Sequence, residues 1–159
     1  MRLMILALML FSVASCQPQA SPLSEADLAA IRNLGPQFIQ AILARDVDAV
    51  VALYTDDAVI MPPGAPVVVG KDAIRDFFTA QFASDVVTKE QVFTSIETQG
   101  EGNQAFDRGT FSWKGTRPGA SDTITDVGKY VVIVRRTADG SWRVAVDIGN
   151  SDGRPPEPE

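Results

Sequence analysis

The chain has 159 residues, a formal net charge of −6 and no histidine. Without histidine, Ser-His-Asp and Cys-His machinery, His-Asp dyads and His-based zinc sites are excluded, and proton transfer falls to Asp, Glu, Tyr, Lys and Arg. An acidic chain with no basic patch is a poor match for nucleic acid, and neither a cofactor nor a metal is expected.

The N-terminus opens Met1-Arg2, runs apolar from Leu3 to Val13 and reaches Ala14-Ser15-Cys16. This is the layout of an export signal, too short to span a bilayer permanently. Val13-Ala14-Ser15-Cys16 resembles a bacterial lipobox, in which the Cys becomes the acylated N-terminus. Cys16 is the single Cys of the sequence, so no intramolecular disulfide can form. The expected division is residues 1–16 as lipoprotein signal peptide, 17–24 as a polar linker, 25–150 as one domain and 151–159 as a disordered tail. Acyl chains would tether the domain to the membrane. The resemblance to enterobacterial lipoproteins implies, through Gln17, the periplasmic side of the outer membrane. The alternative is simple secretion to the periplasm after cleavage near Ala14 to Ala20. Losing Arg2 would take the net charge from −6 to −7.

Ser24 with Asp27 three residues on reads as a helix start. Leu28, Ile31, Leu34, Phe38, Ile39, Ile42 and Leu43 then recur at helical spacing. Gly35-Pro36 predicts a kink or boundary in that helix. Asp46 reads as the cap of a shorter helix with Val47, Val50, Val51 and Tyr54 on one face. Asp46-x-Asp48 is read as that cap plus a first-turn acid rather than a metal motif, and Asp56-Asp57 as a turn. Short strands are expected near Val59 and Val68 around Pro62-Pro63-Gly64. A third helix follows Gly70, with Ile74, Phe77, Phe78 and Phe82 inward.

After Ser84 the pattern changes. Val92 to Thr98, Gln104 to Trp113, Thr123 to Thr137 and Trp142 to Asn150 are rich in β-branched and aromatic residues. Gly100-Glu101-Gly102-Asn103 and Ala138-Asp139-Gly140 punctuate them as hairpins. Helices followed by an antiparallel meander indicate an α+β fold. Strict alternation in the last strand puts Trp142, Val144, Val146 and Ile148 on one face and Arg143, Ala145, Asp147 and Gly149 on the other. If the second face lines a pocket, Asp147 is a buried acid able to act as a base; if not, it is an ordinary cross-strand partner.

The stretch AILARDVDAVVALYTDDAVIMPPGAPVVVGKDAIRDFF, with DGSWRVAVDIGNSD near the end, resembles the DUF4440 and SnoaL-like branch of the NTF2-like superfamily, and the group labelled SgcJ/EcaC. The resemblance implies a cone: N-terminal helices packed on a curved antiparallel sheet enclosing a pocket, commonly dimeric. The superfamily's ketosteroid isomerases use a base Asp with a Tyr and a protonated Asp; those positions fall at Pro62, near Phe38 and near Val132 here, all apolar. The expected role is therefore binding of a small apolar or amphipathic molecule, with Phe38, Met61, Phe77, Phe111, Tyr130 and Val132 as pocket wall. The alternatives are an isomerase, cyclase or hydrolase using Asp147, Tyr130 or Tyr54, and an assembly domain without ligand.

Overall fold

A computed structural model describes residues 21–119 and 122–153. The expected signal peptide, Cys16, residues 17–20 of the linker and residues 154–159 lie outside them. Among the described residues four helices, α1 (Glu25–Arg32), α2 (Leu34–Ala44), α3 (Val47–Ala52) and α4 (Lys71–Ala83), pack on six strands. The strands are β1 (Tyr54–Met61), β2 (Val68–Val69), β3 (Val87–Glu101), β4 (Gln104–Thr116), β5 (Thr123–Arg136) and β6 (Trp142–Ser151).

The helix boundaries follow local chemistry. Ser24 and Asp27 form a reciprocal capping box at α1, which supplies partners to backbone donors that the first turn cannot satisfy. α1 stops at Asn33, two residues ahead of the Gly35-Pro36 break expected from sequence. Pro36 instead sits in the first turn of α2, where a missing N–H costs nothing. Arg45 ends α2 in the left-handed conformation at φ 56°, and Asp46 caps α3 by accepting from Ala49 N at 2.9 Å.

The sheet order is β2-β1-β6-β5-β4-β3. β3 to β6 form the expected antiparallel meander, and Gly102 (φ 59°) makes the β3–β4 connection tight enough for Glu101 to pair with Gln104. β1 then lies parallel to β6, so the sheet is mixed rather than wholly antiparallel. It curves but does not close. Irregular pairing between Thr88 and Glu90, between Ser95 and Glu97, and opposite Ile133–Val134 marks bulges, which bend and twist a strand. The helices cover the concave side, with Ile31, Leu34, Ile42, Val50, Val51, Ile74 and Phe78 buried against Val134, Trp142 and Val144.

Four local expectations are corrected. Tyr54 does not continue the α3 face; α3 ends at Ala52 and Tyr54 opens β1, paired with Val144. Asp56 and Asp57 lie within β1 and make ion pairs, Asp56 with Lys71 at 3.0 Å and Asp57 with Arg135 at 2.5 Å, rather than a turn. β3 begins at Val87, five residues before the expected Val92. Ser21 and Pro22, assigned to the linker, attach to the sheet through Gly102 N to Ser21 O at 2.9 Å and a Pro22–Glu101 bridge.

Candidate functional site

Directly paired residues on neighbouring strands share a face of the sheet. The register Thr98–Asp107–Val132–Asp147–Ile60 therefore draws one row of side chains across β3, β4, β5, β6 and β1. Asp107 and Asp147 stand on either side of Val132, two strands and about 10 Å apart at their backbones. Above this row α1 and α2 bring Ile31, Arg32, Leu34 and Phe38, enclosing a cavity of about 190 Å³. A cavity of about 150 Å³ is enough to hold a benzene ring.

Asp147 reaches this cavity because β6 is bulged. Val134 pairs with Val144 and Ile133 with Val146, which leaves Ala145 as an extra residue. Strict alternation would set Val144 and Asp147 on opposite faces. The bulge shifts the phase, and both line the cavity.

Each carboxylate is held by a tyrosine. Tyr54, 1% exposed, donates its hydroxyl to Asp147 Oδ2 at 2.7 Å. Tyr130 donates to Asp107 Oδ2 at 2.6 Å. Asp107 also accepts at Oδ1 from Ser95 Oγ and, at 2.6 Å, from Thr98 Oγ1. Thr98 in turn accepts from Arg32 Nε at 3.2 Å. The two acids thus differ: Asp107 has three hydroxyl donors, whereas Asp147 has one and keeps an uncommitted Oδ1 among the described residues.

The electrostatics follow from depth. Asp147 lies deep in the protein yet keeps part of its surface open to the cavity, and burial pushes its carboxyl above the usual range while the Tyr54 bond acts the other way. Burial also holds the Tyr54 phenol well above its ordinary value, reinforced by the charge and hydrogen bond of Asp147. Tyr130 is raised by burial and then by its bond to Asp107. Both phenols therefore stay protonated.

An arc of rings joins the two pairs. Tyr130 meets Phe93 at 5.2 Å, Phe93 meets Phe38 at 6.0 Å, Phe38 meets Phe78 at 5.8 Å and Phe78 meets Tyr54 at 6.4 Å between centroids. The first three are edge-on and the last is tilted; edge-on pairs add to what area burial alone contributes. Phe78 backs the wall; the other four rings line it.

Of the residues singled out in the sequence, Phe38, Tyr54, Tyr130, Val132 and Asp147 come together here. Met61, Phe77 and Phe111 lie outside the lining. Met61 follows Ile60 on β1 and so faces the convex side, in register with Ile148 and Val131. The apolar run Ile60-Met61-Pro62-Pro63 is accordingly not the wall: Ile60 is core and the prolines belong to the loop beyond β1. Phe77 packs edge-on against Phe78 at 5.2 Å. Phe111 lies further along the concave face, paired with Phe93 and with its ring over Gly128. Asp107, Ser95, Phe93 and Arg32 were not singled out as site residues; the small in-facing neighbours Ala105 and Gly109 on either side of Asp107 are the signal that marks its face. Among the described residues no group of three or more Asp, Glu, Cys or His could hold a metal ion, and no helix is long and apolar enough to cross a membrane.

A family model described as a SnoaL-like domain matches residues 36–145. Among solved structures, a ketosteroid isomerase-like protein from Erwinia carotovora atroseptica SCRI1043 is 26% identical with a TM-score of 0.72, over 82% of this chain and 100% of that one. A candidate aromatic ring hydroxylase from Novosphingobium aromaticivorans is 28% identical with a TM-score of 0.68, over 83% and 93% of the two chains. An NTF2-like protein of unknown function from Shewanella oneidensis MR-1 shares the fold at 19% identity and a TM-score of 0.61, over 77% and 97%. No curated protein matches the chain in sequence.

Proposed function

The chain belongs to the SnoaL-like domain family of NTF2-like folds, and from that premise we propose that it binds a small, largely apolar molecule in the cone cavity. The observation that carries this reading is the cavity itself: Phe38, Phe93, Leu34, Val132 and Val144 supply apolar wall around two tyrosine-held carboxylates. Small-molecule sites have this character, mostly apolar with a few placed polar groups. Native mass spectrometry of the gently purified protein tests it. An extra mass that persists in the native spectrum and vanishes on denaturation is expected; a bare mass together with no binding of any single-ring probe would overturn the reading.

A second reading is favoured by one observation, the uncommitted Oδ1 of Asp147 in a cavity where burial raises its carboxyl. That is the preparation of a general acid or base, and the ketosteroid isomerase-like protein is among the structures this chain resembles. The domain would then be an isomerase, cyclase or hydrolase with Asp147 exchanging the proton. Turnover unchanged in Asp147→Asn would remove this acid from the chemistry.

The cellular setting belongs to the same proposal. The lipobox-like Val13-Ala14-Ser15-Cys16 supports acylation at Cys16, and with it a domain tethered at the periplasmic face of the outer membrane. The apolar Met61–Ile148–Val131 line on the uncovered convex face, with Val131 and Met61 each 39% exposed, supports a homodimer through the sheet. Loss of membrane association in Cys16→Ser and a two-chain mass in the native spectrum are the expected outcomes; a soluble wild type or a concentration-independent monomer would refute them.

A further inference from the structure

The direction of the hydrogen bonds narrows the ligand, on the footing of the pocket reading above. A hydroxyl carries one proton. Tyr54 gives its proton to Asp147, and Tyr130 and Ser95 give theirs to Asp107. What these three groups offer toward the cavity is therefore lone pairs. Once Asp147 is ionised its Oδ1 adds another acceptor, since no described residue donates to it.

The cation in the wall, Arg32, is tied by its Nε to the Asp107 side. Its Nε donates to Thr98 Oγ1 at 3.2 Å, and Thr98 passes its own proton to Asp107 at 2.6 Å. Arg32 and Asp107 thus face each other through a single hydroxyl and offset one another. Asp147 is the acid of this wall with no cation of its own: among the described residues it enters no ion pair.

We infer that the cavity takes a small primary amine in its protonated form, its ammonium group set on Asp147 Oδ1 and the Tyr54 oxygen and its single-ring or branched apolar body against Phe38, Phe93 and Val132. The volume suits such a molecule, because about 190 Å³ accommodates one ring and a short arm. The rings suit it too, since an ammonium is attracted to aromatic faces and gains more where water is excluded. At that end of the cavity ionised Asp147 and the Tyr54 oxygen present acceptors alone, so a carboxylate placed there would meet like charge and no donor.

Binding is then linked to a proton. In the empty cavity burial favours protonated Asp147. An arriving ammonium favours the carboxylate, so one proton leaves as the amine enters. The groups that face Asp147 across the cavity are Tyr54 from β1, Tyr130 from β5, Asp107 from β4 and Arg32 from α1; α2 brings none. Both phenols are held above their ordinary range and do not titrate near neutral pH.

Isothermal titration calorimetry of the purified protein with benzylamine, benzyl alcohol and benzoate tests the inference, since the three share a ring and differ at one group. Benzylamine is expected to bind at least about tenfold more tightly than benzyl alcohol, the scale of one charge-assisted hydrogen bond, and benzoate weakest. Benzylamine affinity should rise from acid to neutral pH, and its heat should change with the ionisation enthalpy of the buffer. In Asp147→Asn, benzylamine should lose its advantage over benzyl alcohol. Benzyl alcohol matching benzylamine would refute the amine class while leaving the pocket intact, and so would benzoate binding best, which would make Arg32 the anchor. Binding by none of the three would overturn the pocket reading along with it. Should the variant fail to fold, the ranking of the three probes on the wild type decides alone: benzylamine no tighter than benzyl alcohol refutes the inference.

Discussion

Replacing Tyr54 by Phe removes one oxygen from a side chain that is 1% exposed and leaves its ring in place. The loss falls on Asp147, whose hydrogen bond at 2.7 Å is to that hydroxyl. A bond to a neutral partner contributes about 0.5–1.5 kcal/mol and one to a charged group about 1.5–3 kcal/mol. The cost of Tyr54→Phe therefore depends on whether Asp147 carries its charge. The sign follows from the raised carboxyl: an acid whose folded-state pKa lies above its unfolded value contributes stability that is fully present below the unfolded value and lost as pH rises through the folded one. Because the Tyr54 bond opposes that rise, deleting it raises Asp147 further and deepens the loss. Urea denaturation of wild type and Tyr54→Phe is expected to show a difference of about 1 kcal/mol in acid, growing to about 2 kcal/mol or more above the titration of Asp147. In an Asp147→Asn background the amide oxygen still accepts from Tyr54, so the same deletion should cost about 1 kcal/mol at every pH. A cost independent of pH in the native background, or one larger in acid, would refute the assignment of a buried, titrating Asp147.

Phe78→Ala removes the ring that backs the aromatic arc at 4% exposure, and should destabilise by about 3–5 kcal/mol in chemical denaturation, as large-to-small changes in a packed core do. Val132→Phe puts a ring between Asp107 and Asp147 in the cavity floor; single-ring probes should no longer bind by calorimetry while the melting transition stays cooperative. Gly109→Ala would place a Cβ 2.0 Å from the Thr94 carbonyl oxygen and 3.0 Å from Tyr130 Cε1. The β3–β4 pair must open to admit it, at about 1–3 kcal/mol, with a visible change in the near-ultraviolet circular dichroism from Tyr130.

The helix signals were legible because they act within a few residues: Ser24 with Asp27, Asp46 before α3 and Gly70 before α4 each satisfy or free backbone groups of the turn beside them. The hairpin at Gly102 was legible for the same reason. What sequence did not carry was phase. The positions of Val50, Val51 and Tyr54 are consistent with one helical face, yet the parallel pairing of Tyr54 with Val144, set by residues far along the chain, ends the helix first. The alternation in β6 is broken at Ala145 by its register with β5, and no local composition announces it. Met61 has the right character for a pocket wall and the wrong parity on β1. Asp107 was recognisable as an in-strand acid in AFDRGTF, but its three donors come from Ser95, Thr98 and Tyr130 on two other strands. Residue character is local; the face it occupies is a property of the whole sheet.

The same register explains why two carboxylates in one row can have different tasks. Two carboxylates with the roughly 10 Å spacing of these backbones repel by roughly 1.7 kcal/mol at an effective dielectric near 20, a cost that is absent when only one of the two is ionised. At Asp107 three hydroxyls and, through Thr98, Arg32 surround the carboxylate, and little of its acceptor capacity remains. At Asp147 a single hydroxyl does so, and the other oxygen looks into the cavity. Any molecule entering between them meets a completed network on one side and an incomplete one on the other. The incomplete side is where its polar group gains most, which orients it by free energy rather than by shape. The Ala145 bulge is what brings that side to the cavity. A ligand's orientation in this domain therefore depends on one extra residue in β6, and a deletion that restores strict alternation there would leave Asp107 satisfied and the cavity without its second pole.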